Sequence, residues 1–257
     1  MTQTTQMTRT VTLGNREITR IGLGTNRLTN TNENREFLAE AVTAGLNFID
    51  TAHVYTDGES ERTIGEALSP FGDDLVVATK GGYKESSLDD LRAQIEQSCE
   101  SLQTERITLY YLHRTHPDIP IEESVGVIKE FVDAGRIEHV GLSEVSAEQI
   151  DRARAVVPIA AVQNEFNLRE RSWDVIDHCA SAGIVFVPFY PLHGDSDAVD
   201  EVAQRHGATP NQVKLAWLLA RAPNVAPIPG TLSREHLNEN LAALDLELTD
   251  EDLEALS

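Results

Sequence analysis

A chain of 257 residues that is 40% hydrophobic has ample apolar material for a full-sized core. Its 42 acidic residues outnumber 21 basic ones, and the net charge of −21 repels phosphates and argues against a nucleic-acid partner. No apolar run approaches the roughly 20 residues that cross a bilayer, and "MTQTTQMTRTVTLGN" lacks a basic head followed by an apolar stretch, so the cytoplasm is the expected compartment.

The first element in chain order is a small hairpin turning at Gly14-Asn15. Eight apolar runs follow: "ITRIGLGT", "LNFID", "DLVVATK", "ITLYYLH", "IEHVGLS", "IAAVQNEF", "IVFVPFY" and "NVAPIPG". Between them recurs a unit made of an amphipathic stretch, then Ala-Gly, then a short apolar run, at "REFLAEAVTAGLNFID", "ESVGVIKEFVDAGRIEHVGLS" and "WDVIDHCASAGIVFVPF". In the second copy Val125, Ile128, Phe131 and Val132 fall at helical spacing, and Gly135 stands where a left-handed cap needs glycine; Gly45 and Gly183 take the same role. Ser87 before "LDDLRAQIEQSCESL", and Ser146 with Gln149, supply helix caps.

Helix, glycine stop and buried strand in repetition mean parallel strands joined by helical crossovers. The pattern predicts an α/β fold, a (β/α)8 TIM barrel with a short N-terminal β-hairpin, over residues 1–257 as a single domain. A doubly wound open sheet is the alternative. Cys99 and Cys179 lie far apart in helix-like segments, with no metal-ligand spacing, and read as buried spectator thiols. His113 and His116 are three apart but have no third ligand at sensible spacing, so no metal is expected.

In such barrels the active site lies at the carboxyl ends of the strands. The second run ends in Asp50, the third in Lys80 and the fourth in His113, with Tyr55 just past Asp50. Each alone has an ordinary structural role as a turn cap, packed ring, solvated charge or satisfied histidine. Together they make chemical sense. A phenol is a weak acid at neutral pH, and a neighbouring ammonium favours its ionised form. Lys80 supplies that cation, Asp50 keeps it protonated, and His113 polarises a carbonyl that receives the phenolic proton. The matching hydride would come from a nicotinamide.

With "NFIDTAHVYTDGESERTIGEAL", "VVATKGG", "LYYLHRTHPD", "GRIEHVGLSEVS", "AVQNEFNL", "VPFYPLHG" and "IPGTLSREHLNENLAAL" in this order, the chain resembles the aldo-keto reductase family from "IGLGTNRL" to "NENLAALDLELTDEDLEAL". The resemblance implies an oxidoreductase that reduces aldehydes or ketones with NADPH, NADH being possible, through Asp50, Tyr55, Lys80 and His113. It implies cofactor contacts from Gly24, Thr25 and Asp50, from Ser143, Glu144 and Gln163 after the fifth and sixth strands, and from Tyr190 and Leu192 after the seventh. Tyr190 would stack on the nicotinamide. Gly230 and Thr231 would meet the pyrophosphate at a helix N-terminus, Arg234 and His236 the 2′-phosphate, and Glu239 and Asn240 the adenine.

Two positions depart from the pattern. Glu144 stands where many members have Asn, and a carboxylate accepts but does not donate to a carboxamide. His236 stands where many have Arg. The chain also stops at Ser257, without the long carboxyl-terminal loop of many relatives, which predicts an open, permissive mouth. Two alternatives stay open at this level: a Schiff-base lyase working through Lys80, and a cofactor-binding subunit without turnover. The partner expected is a small aldehyde or ketone, and the protein a monomer or small homo-oligomer.

The acids are dispersed along the chain, and only 4 of the 21 bases are lysines. Such a surface suits a halophilic cytoplasm, where the Debye length falls to about 3 Å at 1 M salt. Unfolding followed by circular dichroism should show structure lost below about 0.5 M salt; full stability in dilute buffer contradicts a halophilic origin.

Overall fold

The computed structural model describes residues 8–84 and 86–256. The leader reading for residues 1–7 and the chain-end reading at Ser257 fall outside the described residues. β1 (Thr10–Leu13) and β2 (Arg16–Thr19) form the expected antiparallel hairpin, with Gly14 at φ 59° in the turn. Leu13 and Ile18 are fully buried and pack with Phe48, Val76, Leu109 and Tyr111. The hairpin thereby plugs the amino-terminal end of a barrel.

Seven parallel strands follow in chain order: β3 (Leu23–Gly24), β4 (Phe48–Asp50), β5 (Val76–Gly81), β6 (Ile107–Leu112), β7 (Ile137–Ser143), β8 (Ile159–Gln163) and β9 (Val185–Phe186). All residues of β4, β5 and β6 are buried, as expected of strands covered on both faces. The crossovers carry α1 (Asn32–Thr43), α2 (Glu59–Leu68), α3 (Leu88–Ser101), α4 (Ile121–Asp133), α5 (Ala147–Arg154) and α6 (Trp173–Ala182). α7 (Asp197–His206), α8 (Pro210–Leu219), α9 (Arg234–Ala242) and α10 (Asp250–Ala255) complete the ring. Ser87 and Ser146 form capping boxes with Asp90 and Gln149, and Gly135 ends α4 at φ 74°. Cys99 and Cys179 are buried and unbridged.

Two strand expectations need correction. "ITRIGLGT" is not one strand: Ile18 and Thr19 belong to the hairpin, and only Leu23–Gly24 joins the barrel. "NVAPIPG" closes the barrel without forming a regular strand. The N–H groups of Ala226 and Ile228 donate to Phe186 O at 2.8 Å and Pro188 O at 3.4 Å. On the other side Gly22 and Gly24 N–H donate to Pro227 O at 3.0 Å and Pro229 O at 3.2 Å. Pro227 and Pro229 have no N–H to return, so the ladder to β3 is half made. The result is still a closed (β/α)8 barrel with an N-terminal β-hairpin.

Arg20 reinforces this closure. Its buried guanidinium donates to Val225 O at 3.1 Å, Leu219 O at 2.8 Å and Ala222 O at 2.7 Å, tying the end of α8 and the closing segment to the hairpin. Arg20→Met removes a charge-assisted hydrogen bond from each of these carbonyls and should lower unfolding free energy by about 3 kcal/mol. An unchanged denaturation midpoint contradicts this role.

Candidate active site

The polar strand ends converge. Asp50 is the last residue of β4, Lys80 sits one residue from the end of β5, and His113 directly follows β6. The backbone fixes their depth, since Thr51 N–H donates to Ala78 O at 2.8 Å and His53 N–H to Lys80 O at 2.9 Å. The second bond anchors the loop that carries Tyr55 onto the strand that carries Lys80. Tyr55 then opens a short 3-10 turn in which Thr56 and Asp57 are left-handed, at φ 48° and 55°.

Lys80 is completely buried and its three protons are all placed. Nζ donates to Asp50 Oδ1 at 2.6 Å, Thr51 O at 2.8 Å and the Tyr55 phenolic oxygen at 3.2 Å. Burial disfavours its charge, but Asp50 and Tyr55 outweigh that and raise the Lys80 pKa. Burial likewise pushes the Asp50 carboxyl up, against the pull of Lys80 and of Gln163, whose Nε2 donates to Asp50 Oδ2 at 2.8 Å. A contact of 2.6 Å with further hydrogen bonds on both partners keeps the pair ionised. Because Lys80 donates to the phenol, the phenolic proton is free to be given elsewhere.

The His113 ring stands edge-on to Tyr55, with centroids 6.0 Å apart. Burial first, then Lys80 and Arg114, depress its pKa to about 2, so the imidazole is neutral at physiological pH. Its Nδ1 is buried without a partner.

These groups face a cavity of about 680 Å³ at the carboxyl ends of the strands. Of the residues expected from sequence, Gly24, Thr25, Asp50, Tyr55, His113, Ser143, Gln163, Tyr190, Leu192 and Gly230 line it. Lys80 lies beneath its floor, bonded to two of them. Glu144, Thr231, Arg234, His236, Glu239 and Asn240 are not part of its wall. The Glu144 carboxylate accepts from Glu165 N–H at 2.9 Å, and Thr231 Oγ1 accepts from Ser233 N–H at 3.0 Å. Arg234 pairs with Glu40 of α1 at 2.5 Å, and Glu239 accepts from the Thr209 hydroxyl. His236 donates its N–H to Ser233, the N-cap of α9, and Asn240 is buried in that helix.

The wall could hold a nicotinamide. Gln163 donates its amide to Asp50 and leaves Oε1 as an acceptor, and Ser143 Oγ offers a hydroxyl. Tyr190, half exposed and at φ 49°, presents a ring that His193 stacks on at 4.8 Å. Sequence reasoning missed ten wall residues, among them Arg27, Tyr83, Arg114 and Phe189. Arg114 had a signal, standing next to the strand-end His113; Phe189 lay inside the apolar run "IVFVPFY" and read as part of a strand.

Residues 20–196 and 194–257 match the sequence profile of the Aldo/keto reductase family. The chain is 36% identical to pyridoxine 4-dehydrogenase of Escherichia coli (strain K12) over 276 positions, covering 96% of each. It is 33% identical to probable aldo-keto reductase 1 of Glycine max, over 83% of this chain and 75% of that one. Among solved structures, a thermostable aldo-keto reductase in complex with the inhibitor epalrestat has a TM-score of 0.88 at 32% identity, covering 96% of this chain and 98% of that one. An aldo/keto reductase from Klebsiella pneumoniae in complex with NADP and acetate has a TM-score of 0.84 at 28% identity, covering 96% and 94%. With its closed barrel, its strand-end cluster and a profile match across most of its length, the chain belongs to the aldo/keto reductase family and is an oxidoreductase.

Proposed function

We propose that this protein reduces aldehydes or ketones with NADPH, or runs the reverse oxidation, with Tyr55 as the proton donor. The observation that carries this reading is the Tyr55 phenolic oxygen, in the cavity wall and 3.2 Å from a buried ammonium that donates to it. Solved relatives with NADP or NADPH bound support the cofactor. NADH remains an alternative donor, since Arg234 is engaged by Glu40.

When bound, the nicotinamide supplies a hydride to the carbonyl carbon. Tyr55 gives its proton to the carbonyl oxygen, and the phenolate left behind is stabilised by the Lys80 ammonium. Asp50 is a positioning residue that holds Lys80 charged. His113, neutral throughout the physiological range, orients the carbonyl oxygen by hydrogen bonding and is not the acid. Ser143 and Gln163 would bind the carboxamide, Tyr190 would stack on the ring, and Gly230 with the α9 N-terminus would take the pyrophosphate.

A Schiff-base lyase fits less well, because it needs a neutral amine at Lys80 where Asp50 favours the ammonium. We take the whole chain as one barrel domain working in the cytoplasm as a monomer or small homo-oligomer. No helix among the described residues is long and apolar enough to cross a membrane.

Tyr55→Phe keeps the ring and removes only the proton. It should cut carbonyl reduction by about 10²- to 10⁴-fold while NADPH still quenches protein fluorescence with near wild-type affinity. Wild-type turnover in this variant contradicts the assignment of the acid.

A further inference from the structure

Arg114 is an arginine without an evident structural duty. Arg20, by contrast, is saturated by main-chain carbonyls, and the surface residues Arg16, Arg92 and Arg152 face Glu138, Glu130 and Glu122. Arg114 is half-buried in the cavity wall, where Nη1 donates to His113 O at 2.9 Å and Ser143 Oγ at 3.2 Å. Among the described residues no carboxylate pairs with it, and Nε and Nη2 have no hydrogen-bond partner. The rings of Tyr83 and Phe189 each lie 5.9 Å from its central carbon, and the Tyr83 ring lies 4.8 Å from that of His113. A guanidinium flanked by rings, with the three N–H donors on Nε and Nη2 unclaimed, is prepared for a planar oxyanion.

The distribution of charge points the same way. The chain has 42 acidic residues, yet among the described residues Asp50 is the one acid in the cavity wall, and Lys80 neutralises it. The acidic exterior repels an anion at a distance, but screening confines that to about 8 Å at physiological ionic strength. Within the cavity the nearest cations, Arg114 and Arg27 of its wall, dominate.

Arg114 is also on the wrong side of the barrel to serve cofactor phosphates. It follows β6, the fourth barrel strand, whereas the Gly230 segment is the eighth, half-way round the ring. The guanidinium instead stands beside His113, on the side where the carbonyl would bind.

We propose that Arg114 anchors a carboxylate or phosphate on the substrate, so that this site selects anionic aldehydes or ketones such as oxo acids. The proposal rests on the reductase function argued above. Two matched pairs test it with NADPH: 4-carboxybenzaldehyde against methyl 4-formylbenzoate, and glyceraldehyde 3-phosphate against glyceraldehyde. In at least one pair kcat/KM should favour the anion by about 10- to 100-fold, the usual value of a charge-assisted contact. A preference confined to one pair identifies the group recognised. Arg114→Gln should abolish the preference through KM, and Arg114→Lys should restore part of it.

Equal kcat/KM within both pairs, or a preference that survives in Arg114→Gln, overturns the proposal. Reduction of none of the four compounds sinks the reductase reading instead. Calorimetry on the NADPH-saturated protein then decides the anchor independently. Binding of either anion at least about tenfold tighter than its neutral partner, lost in Arg114→Gln, supports it. Equal binding within both pairs overturns it.

Discussion

The buried ion pair of Lys80 and Asp50 is the constraint on which the site depends. Removing two charges from water costs several kcal/mol each, and their attraction offsets this only with good geometry and further hydrogen bonds. Both conditions hold here: the contact is 2.6 Å, Thr51 O and the phenol take the other ammonium protons, and Gln163 satisfies the second carboxylate oxygen. Deleting one partner would strand the other charge, at about 3–5 kcal/mol. A hydrophobic pair would be cheaper for stability. It would leave the Tyr55 oxygen without a cation beside it.

The barrel makes this arrangement repeatable. Parallel strands bring their carboxyl ends to one rim, so Asp50, Lys80, His113, Ser143 and Gln163 share a level without any long loop having to find it. The hairpin plugs the other end with Leu13 and Ile18, leaving the cavity open on the functional side only. The seam between the Pro227–Pro229 segment and β3 lacks the return hydrogen bonds that two prolines cannot donate, and Arg20 compensates from below. The same segment carries Gly230 into the cavity wall. Its backbone must run close to β3 there, and a Cβ on Gly24 would come within 2.7 Å of Ile228 O.

Much of this was legible in the sequence because barrel geometry converts a local feature, the polar residue that ends an apolar run, into a shared location. Asp50, Lys80, His113, Ser143 and Gln163 all follow that rule, and the Ser87 and Ser146 boxes mark helix starts by side-chain chemistry alone. What stayed hidden depends on tertiary contacts. No periodicity in "ITRIGLGT" shows where the chain leaves the hairpin. Arg234 looked like a free cation because Glu40 comes from a helix nearly two hundred residues earlier in the chain. Glu239 was similarly engaged by Thr209. Arg114 was in plain view beside His113, but its lack of a partner is a property of three dimensions.

The central claim is that a permanently charged ammonium sits against the Tyr55 oxygen. With only four lysines in the chain, Lys80, Lys84, Lys129 and Lys214, a nitrogen-15 side-chain NMR spectrum can resolve each one. Titration of the free protein should leave the Lys80 Nζ resonance at its ammonium position from neutral pH past the ordinary lysine range, near 10.4. A Lys80 signal already at the neutral-amine position at pH 7 would contradict the account.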